Sequence, residues 1–113
     1  STLNAALMER IKFNRGRALA YHNIDTGNAV TQPPSFEPMA RGDYTQWQTL
    51  LTNSRMSNAR GLVSVTRLDP NPTINPTTLN QFLVTVRINW NATGAGGIAR
   101  NRTVMFAAVL APE

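Results

Sequence analysis

The chain has 113 residues and a net charge of +5, with 42% hydrophobic residues, one histidine and no cysteine. This length supports one domain with a single core, and the lack of cysteine excludes disulfide frameworks, zinc–cysteine sites and thiol nucleophiles. One histidine and six carboxylates are a poor set for metal binding or general acid–base catalysis. The composition therefore predicts no enzyme, no catalytic residues, no metal site and no cofactor.

Residues 1–22 predict a helix. An apolar stripe begins with Leu3, Leu7 and Ile11 and continues to Tyr21 at the spacing of an α-helix. The helical pattern starts abruptly, without a good N-cap. A helix cut from a longer one would begin in this way, and so can an ordinary first helix.

Residues 23–42 predict a long connection, because Pro33, Pro34, Pro38 and their Gly and Asn neighbours interrupt regular structure. Three apolar residues are spaced so that they are expected to pin this connection to the core: Val30, Phe36 and Met39.

Residues 43–56 predict a second, short helix. Asp43 and Gln46 have the spacing of a capping box, in which two side chains satisfy the first backbone N–H groups. The helix is expected to bury an i, i+3, i+4 face: Trp47, Leu50 and Leu51.

After a predicted turn at 58–61, residues 61–110 predict an antiparallel sheet. Residues 79–90 alternate most clearly, and residues 102–110 repeat the alternation after a flexible glycine-rich connection at 91–99. Two long strands joined by such a connection predict a hairpin.

The predicted fold class is therefore α+β, with both helices on one face of an antiparallel meander of three or more strands. The residues expected to pack the first helix onto the sheet are Leu3, Leu7, Ile11, Phe82, Val84, Val86, Ile88 and Trp90. For the two tryptophans, the apolar surroundings favour a role in the core over a role in stacking on nucleic-acid bases.

The positive charge permits a second interpretation. Ten of the eleven cations are arginine, and a basic domain can contact phosphate backbones. The candidates for a weak, non-specific contact with DNA are Arg15, Arg17, Arg100 and Arg102. The alternative is that the charge only keeps the domain soluble.

No small-molecule substrate is predicted. A phosphate-binding loop needs its glycines between a strand and a helix with a following lysine, whereas a strand follows Gly96 and Gly97. His22 is expected to interact with the dipole at the end of the first helix.

Several segments resemble one family in the same order along the chain. Residues 5–15 (AALMERIKFNR) resemble the stretch after the membrane helix of PilV-type minor pilins, and residues 43–51 (DYTQWQTLL) resemble the short helix that follows. Residues 58–65 resemble its turn and first strand. Residues 84–90 (VTVRINW) and 102–110 resemble the final hairpin shared with some type II secretion pseudopilins.

The resemblance implies a pilin-like fold and a structural role as a minor subunit of a type IV pilus or related pseudopilus. It implies action by filament assembly, with other pilin subunits as partners and a place in the bacterial cell envelope. It also implies an inner-membrane anchor through an N-terminal helix missing from these residues. The chain departs from the family by lacking C-terminal cysteines and by carrying Ala59-Arg60 where Leu-Pro often precedes the glycine. The alternative function is a basic nucleic-acid-binding module.

Overall fold

A computed structural model describes residues 2–68, 81–93 and 95–111 of the chain. Within these residues, three strands form one antiparallel sheet in which neighbours follow the order of the sequence, and the helices pack against it. The predicted α+β class is therefore confirmed. The elements are α1 (Thr2–Phe13), a 3-10 helix (Arg15–Tyr21), a 3-10 turn (Ala29–Thr31), α2 (Pro38–Thr52), β1 (Ser57–Arg67), β2 (Phe82–Thr93), a short turn (Ala95–Gly97) and β3 (Ala99–Leu110).

The core lies between the helices and one face of the sheet. Burial of this apolar face is the main stabilising contribution, since each fully buried large side chain contributes roughly 1.5–3 kcal/mol. Of the eight residues expected at the helix–sheet contact, six are buried: Leu7, Ile11, Phe82, Val84, Val86 and Ile88. Leu3 and Trp90 are partly buried and pack against the same core.

The first helix is shorter than the predicted range of 1–22. The α-helix ends at Phe13, and the chain continues in tighter 3-10 turns over Arg15–Tyr21, with a kink at Arg17 (φ −125°, ψ 35°). The N–H group of Asn14 bonds to carbonyls three and four residues earlier, which tightens the last turn. A buried bond from Asn14 Nδ2 to the hydroxyl of Tyr21 at 3.2 Å then holds the tighter path.

The second helix begins earlier than the predicted range of 43–56. It starts at Pro38, so the predicted connection 23–42 contains its first turn, and it ends at Thr52. Proline fits there because the first N–H groups of a helix have no partner within the helix. Asp43 lies inside α2, and the predicted capping box is therefore wrong.

The connection between the helices is held by polar contacts. The hydroxyl of Thr31 accepts a bond from Asp25 N and donates to Asp25 O, both at 2.9 Å. Arg17 pairs with Glu37 farther along. Because these bonds hold the connection, apolar anchors are not required. The three residues expected to pin it are exposed: Val30 (90%), Phe36 (77%) and Met39 (52%).

The first strand is longer than predicted. β1 starts at Ser57, so the predicted turn at 58–61 lies within the strand. An irregularity in the pairing between Ser57 and Arg60, with Asn58 at φ 54°, absorbs the bend that the sequence suggested.

The hairpin ladder also extends farther than predicted. β2 continues to Thr93 and β3 begins at Ala99, and these two residues pair. The predicted connection 91–99 is therefore shorter, because residues 91–93 and 99 continue the ladder. Part of the predicted strand 79–90, at positions 79 and 80, lies outside the described residues.

Candidate functional site

A buried asparagine ties α1 to the sheet. Asn4 is fully buried, and its Nδ2 donates to the carbonyl oxygens of Val86 on β2 at 2.8 Å and of Val104 on β3 at 3.4 Å. A buried amide needs such partners, because an unpaired polar group in a core costs free energy. The bonds therefore fix the position of α1 across two strands.

A tryptophan ties the same end of α1 to α2 and β1. Trp47 is buried, and its Nε1 donates to the carbonyl of Leu3 at 2.9 Å. Its ring lies directly on Gly61, where a Cβ atom would stand 2.3 Å from two ring carbons. Only glycine leaves room for the ring. We call the contacts of Leu3, Asn4, Trp47 and Gly61 the α1 joint.

A second polar cluster joins the 3-10 helix to α2. The hydroxyl of Tyr21 donates to Asp43 Oδ2 at 2.5 Å and accepts from Asn14. Burial raises the pKa of Tyr21, and the bond to Asp43 raises it further. The phenol therefore stays protonated and keeps its donor role.

One edge of the sheet is covered by the chain itself. Residues 22–26, which we call the covering segment, run along β1. Five hydrogen bonds of 2.9–3.0 Å join them: Asn23 N to Val63 O, Val63 N to Ile24 O, Thr26 N to Gly61 O, Gly61 N to Thr26 Oγ1, and Val65 N to His22 Nδ1. His22, expected to interact with a helix dipole, thus accepts a bond from the edge of β1.

An ion pair reinforces this cover. Arg60 on β1 forms a two-point pair with Asp25 of the covering segment, and Arg60 Nε lies 2.6 Å from Asp25 Oδ1. The hydrogen bonds from Arg60 lower the pKa of Asp25. The two side chains are partly exposed, so the pair orients the segment more than it stabilises it.

The opposite edge of the sheet is formed by β3. Val63 directs its backbone bonds away from β2, so its partner Val86 bonds to Phe106 of β3. By the same alternation, four β3 residues direct their N–H and C=O groups outward: Thr103, Met105, Ala107 and Val109. Within the described ranges, no backbone hydrogen bond reaches these groups.

The four candidate arginines fall into two separate groups. Arg100 and Arg102 pair with Ala92 and Trp90 near the hairpin end. The 3-10 helix that carries Arg15 and Arg17 leads into His22, which bonds to Val65 farther along the sheet. Val65 pairs with Val84, six residues from Trp90, so the strand positions reached by His22 and by Arg102 lie about 20 Å apart along the strands.

The arginines also differ in their pairing. Arg17 Nε bonds to Glu37 at 2.6 Å, and these bonds lower the pKa of Glu37. Arg15, Arg100 and Arg102 are exposed and form no ion pair with any residue that the structure describes.

Two negative findings, on metal sites and on membrane-spanning helices, concern the described part of the chain only. There, no three His, Cys, Asp or Glu side chains come together in a way that could hold a metal ion. Over the same residues, none of the helices combines the length and apolar character needed to cross a bilayer.

Comparison with protein-family models, with curated proteins and with solved structures finds no match. The candidate site therefore comprises three features: the α1 joint, the β1 edge beside the covering segment (the covered edge) and the β3 edge (the open edge). Sequence patterns predicted the apolar residues that pack α1 onto the sheet, but they did not predict the buried Asn4 or the contact of the Trp47 ring with Gly61. A glycine within a β-branched run was the available signal for a close approach at position 61.

Proposed function

We propose that the chain is a structural minor subunit of a type IV pilus or related pseudopilus, acting by filament assembly in the bacterial cell envelope. The observation that carries this proposal is the α1 joint. Asn4 binds the helix to β2 and β3, while the bond from Trp47 to Leu3 binds it to α2. These bonds on two sides of the helix resist its sliding over the sheet, and in a filament they would pass force from helix to sheet.

The two faces of α1 agree with this role. The inner face is buried through Leu7 and Ile11, while Glu9, Arg10 and Lys12 are exposed on the outer side. Charged side chains there are available to neighbouring pilin subunits, the proposed partners. The ordered resemblance to PilV-type minor pilins adds support, and the inner-membrane anchor it implies is part of the proposal.

The test uses a bacterium that carries the gene. Deletion of the gene is expected to reduce surface filaments or type II secretion, and the tagged wild-type chain is expected to restore them and appear in sheared filaments. Asn4→Ala is expected to restore function poorly, because it loosens the joint at a cost of about 1–3 kcal/mol. Asn53→Ala, the same change at an exposed site, is the matched control.

Two results would contradict the proposal. One is a deletion strain with unchanged filaments and unchanged secretion. The other is a wild-type chain that is well expressed but absent from sheared filaments and from the envelope fraction. If Asn4→Ala restored function as well as Asn53→Ala while its stability was lower, the joint would not be the functional feature.

The second candidate is a nucleic-acid-binding module, favoured by Arg100 and Arg102, which are exposed and form no ion pair with the described residues. Such a module would bind duplex DNA weakly and without sequence preference, with a Kd of about 10⁻⁴–10⁻⁶ M at moderate salt. Replacing Arg100 and Arg102 together by Gln should reduce the salt slope by at most about two. No retention on DNA even at very low salt would eliminate this candidate.

A further inference from the structure

The open edge of the sheet lacks the devices that usually protect an edge strand. Natural edges carry lysine, proline, a bulge or an inward-pointing charge that prevents another strand from adding. Residues 103–110 of β3 read TVMFAAVL, with no charge and no proline, and they pair with β2 in unbroken register. Met105 and Val109 are more than half exposed, at 58% and 57%.

The outward backbone groups of β3 match those of a second β3. When two copies run antiparallel around a two-fold axis at Phe106, Thr103 faces Val109 of the other copy and Met105 faces its Ala107. All four residues direct their N–H and C=O groups outward, so this register joins only groups that have no backbone bond within the described residues. The axis repeats each of the two contacts, so four facing pairs with two bonds each give about eight hydrogen bonds.

Side-chain sizes fit the same register. On the outer face of the sheet, Met105 lies beside Ala107 of the other copy. On the inner face, Val104 lies beside Ala108, so a large residue meets a small one in both cases. Phe106, which is only partly buried in one copy, meets its own equivalent in a close, non-hydrogen-bonded pair, where aromatic pairs stabilise a sheet.

Charge favours a second copy in the antiparallel direction. The charges of β3 all lie at its N-terminal end, on Arg100 and Arg102. The two-fold arrangement places the two copies of Arg102 eight residues apart, about 27 Å, well beyond the screening length of about 8 Å at physiological salt. A parallel arrangement would place like charges side by side.

We propose that β3 is a self-association edge, through which two copies of this chain pair antiparallel over residues 103–109 and form one continuous six-stranded sheet. This interface goes beyond the filament role and does not depend on it, because it forms between purified chains.

The first test is sedimentation equilibrium of the 113-residue chain at physiological salt over a wide concentration range. The wild type is expected to show a monomer–dimer equilibrium. Ala107→Lys and Ala107→Pro should raise the dimer Kd by about tenfold or more, because each blocks the facing strand. Neither change removes a bond to β2, since the N–H group of position 107 faces outward; circular dichroism and urea unfolding check the fold.

Ser64→Lys is the matched control. Ser64 is exposed on the same outer face of the sheet, but on β1, where the covering segment already occupies the edge. This variant should leave the dimer Kd within about twofold of the wild type. If Ala107→Lys and Ser64→Lys weakened the dimer equally, general charge repulsion would explain both and the proposal would fail.

Engineered cysteines test the register, because the chain has none of its own. Met105→Cys and Ala107→Cys chains are mixed in equal amounts and oxidised. Mixed disulfides should make up clearly more than the roughly one half that random pairing of an equal mixture gives, because position 105 faces position 107 across the axis. A wild-type chain that stays monomeric at millimolar concentration, or an excess of homodimers, would overturn the proposal.

Discussion

The two edges of the sheet differ in the hydrogen bonding of their outward backbone groups. The β1 edge is closed by residues 22–26 with backbone bonds, two side-chain acceptors and an ion pair. The β3 edge leaves the outward groups of Thr103, Met105, Ala107 and Val109 without a backbone bond in the part of the chain that the structure describes. Within the described residues, the edge beside the helix connection is thus satisfied by the chain itself, whereas the outward groups of the other edge have no backbone partner.

The difference shows how an irregular segment can replace a strand. The covering segment is not a strand, and its backbone alone does not satisfy β1. The hydroxyl of Thr26 and the imidazole of His22 accept the N–H groups of Gly61 and Val65 where no backbone carbonyl does. Side chains therefore complete an edge that main-chain pairing leaves unfinished.

The largest expected contrast between the edges is in amide hydrogen exchange. In dilute solution, the amides of Gly61 and Val63 should exchange at least about 100-fold more slowly than those of Met105 and Ala107, because only the first two are bonded in the monomer. NMR-detected exchange measures this. Equal protection at both edges would mean that something also covers β3.

Among substitutions at the covered edge, a change of Gly61 should lower the free energy of unfolding most. Gly61→Ala drives a Cβ atom into the ring of Trp47, and we expect a loss of about 3 kcal/mol or more in the free energy of unfolding in urea. Gly42→Ala is the control, because Gly42 lies in α2 with open space around it. That change should stabilise the chain by about 0.5–1 kcal/mol. Equal effects would rule out the ring contact as the cause.

A smaller loss should follow from removing one side-chain acceptor. Thr26→Val keeps the shape but leaves the N–H of Gly61 without its partner, at an expected cost of about 1–2 kcal/mol. Thr66→Val, at an exposed position of β1, is the matched change and should be nearly neutral. Urea unfolding measures both. A neutral Thr26→Val would mean that the backbone bonds alone close the edge.

The smallest effect concerns the ion pair and depends on pH. The pKa of Asp25 in the folded chain lies below its ordinary value of 3.8, so the pair stabilises the fold above that value. This contribution is lost as the pH falls through the lowered pKa. The Tm of Asp25→Asn should therefore be slightly lower than that of the wild type at neutral pH, and the difference should shrink as the pH falls through the lowered pKa of Asp25. A constant difference at all pH values would assign the effect to the neutral bonds of Asp25.

Local patterns predicted the elements that bury a regular face. The alternation from Phe82 to Ile88 identified the inner face of β2, and the spacing of Leu7 and Ile11 identified the buried side of α1. In both cases the period of the sequence equals the period of the element. The α+β class followed from these two patterns.

The covered edge could not be predicted because its partners are distant in the sequence. Thr26 and Gly61 are 35 residues apart, and His22 and Val65 are 43 apart, so no local pattern records their bonds. The start of α2 was missed for another reason: Pro38 was interpreted as a breaker, although proline fits the first turn of a helix. Trp47 and Trp90 looked equivalent in the sequence, but only Trp47 is fully buried.

The packing of the Trp47 ring also provides an optical probe of folding. The ring joins Leu3, 44 residues away, to Gly61, so its dry surroundings exist only once α1, α2 and β1 have met. Contacts of such sequence separation close late, because the loop entropy must be lost first. In a Trp90→Phe chain, the blue shift of the remaining indole emission would therefore time the docking of α1, separately from the earlier appearance of helix.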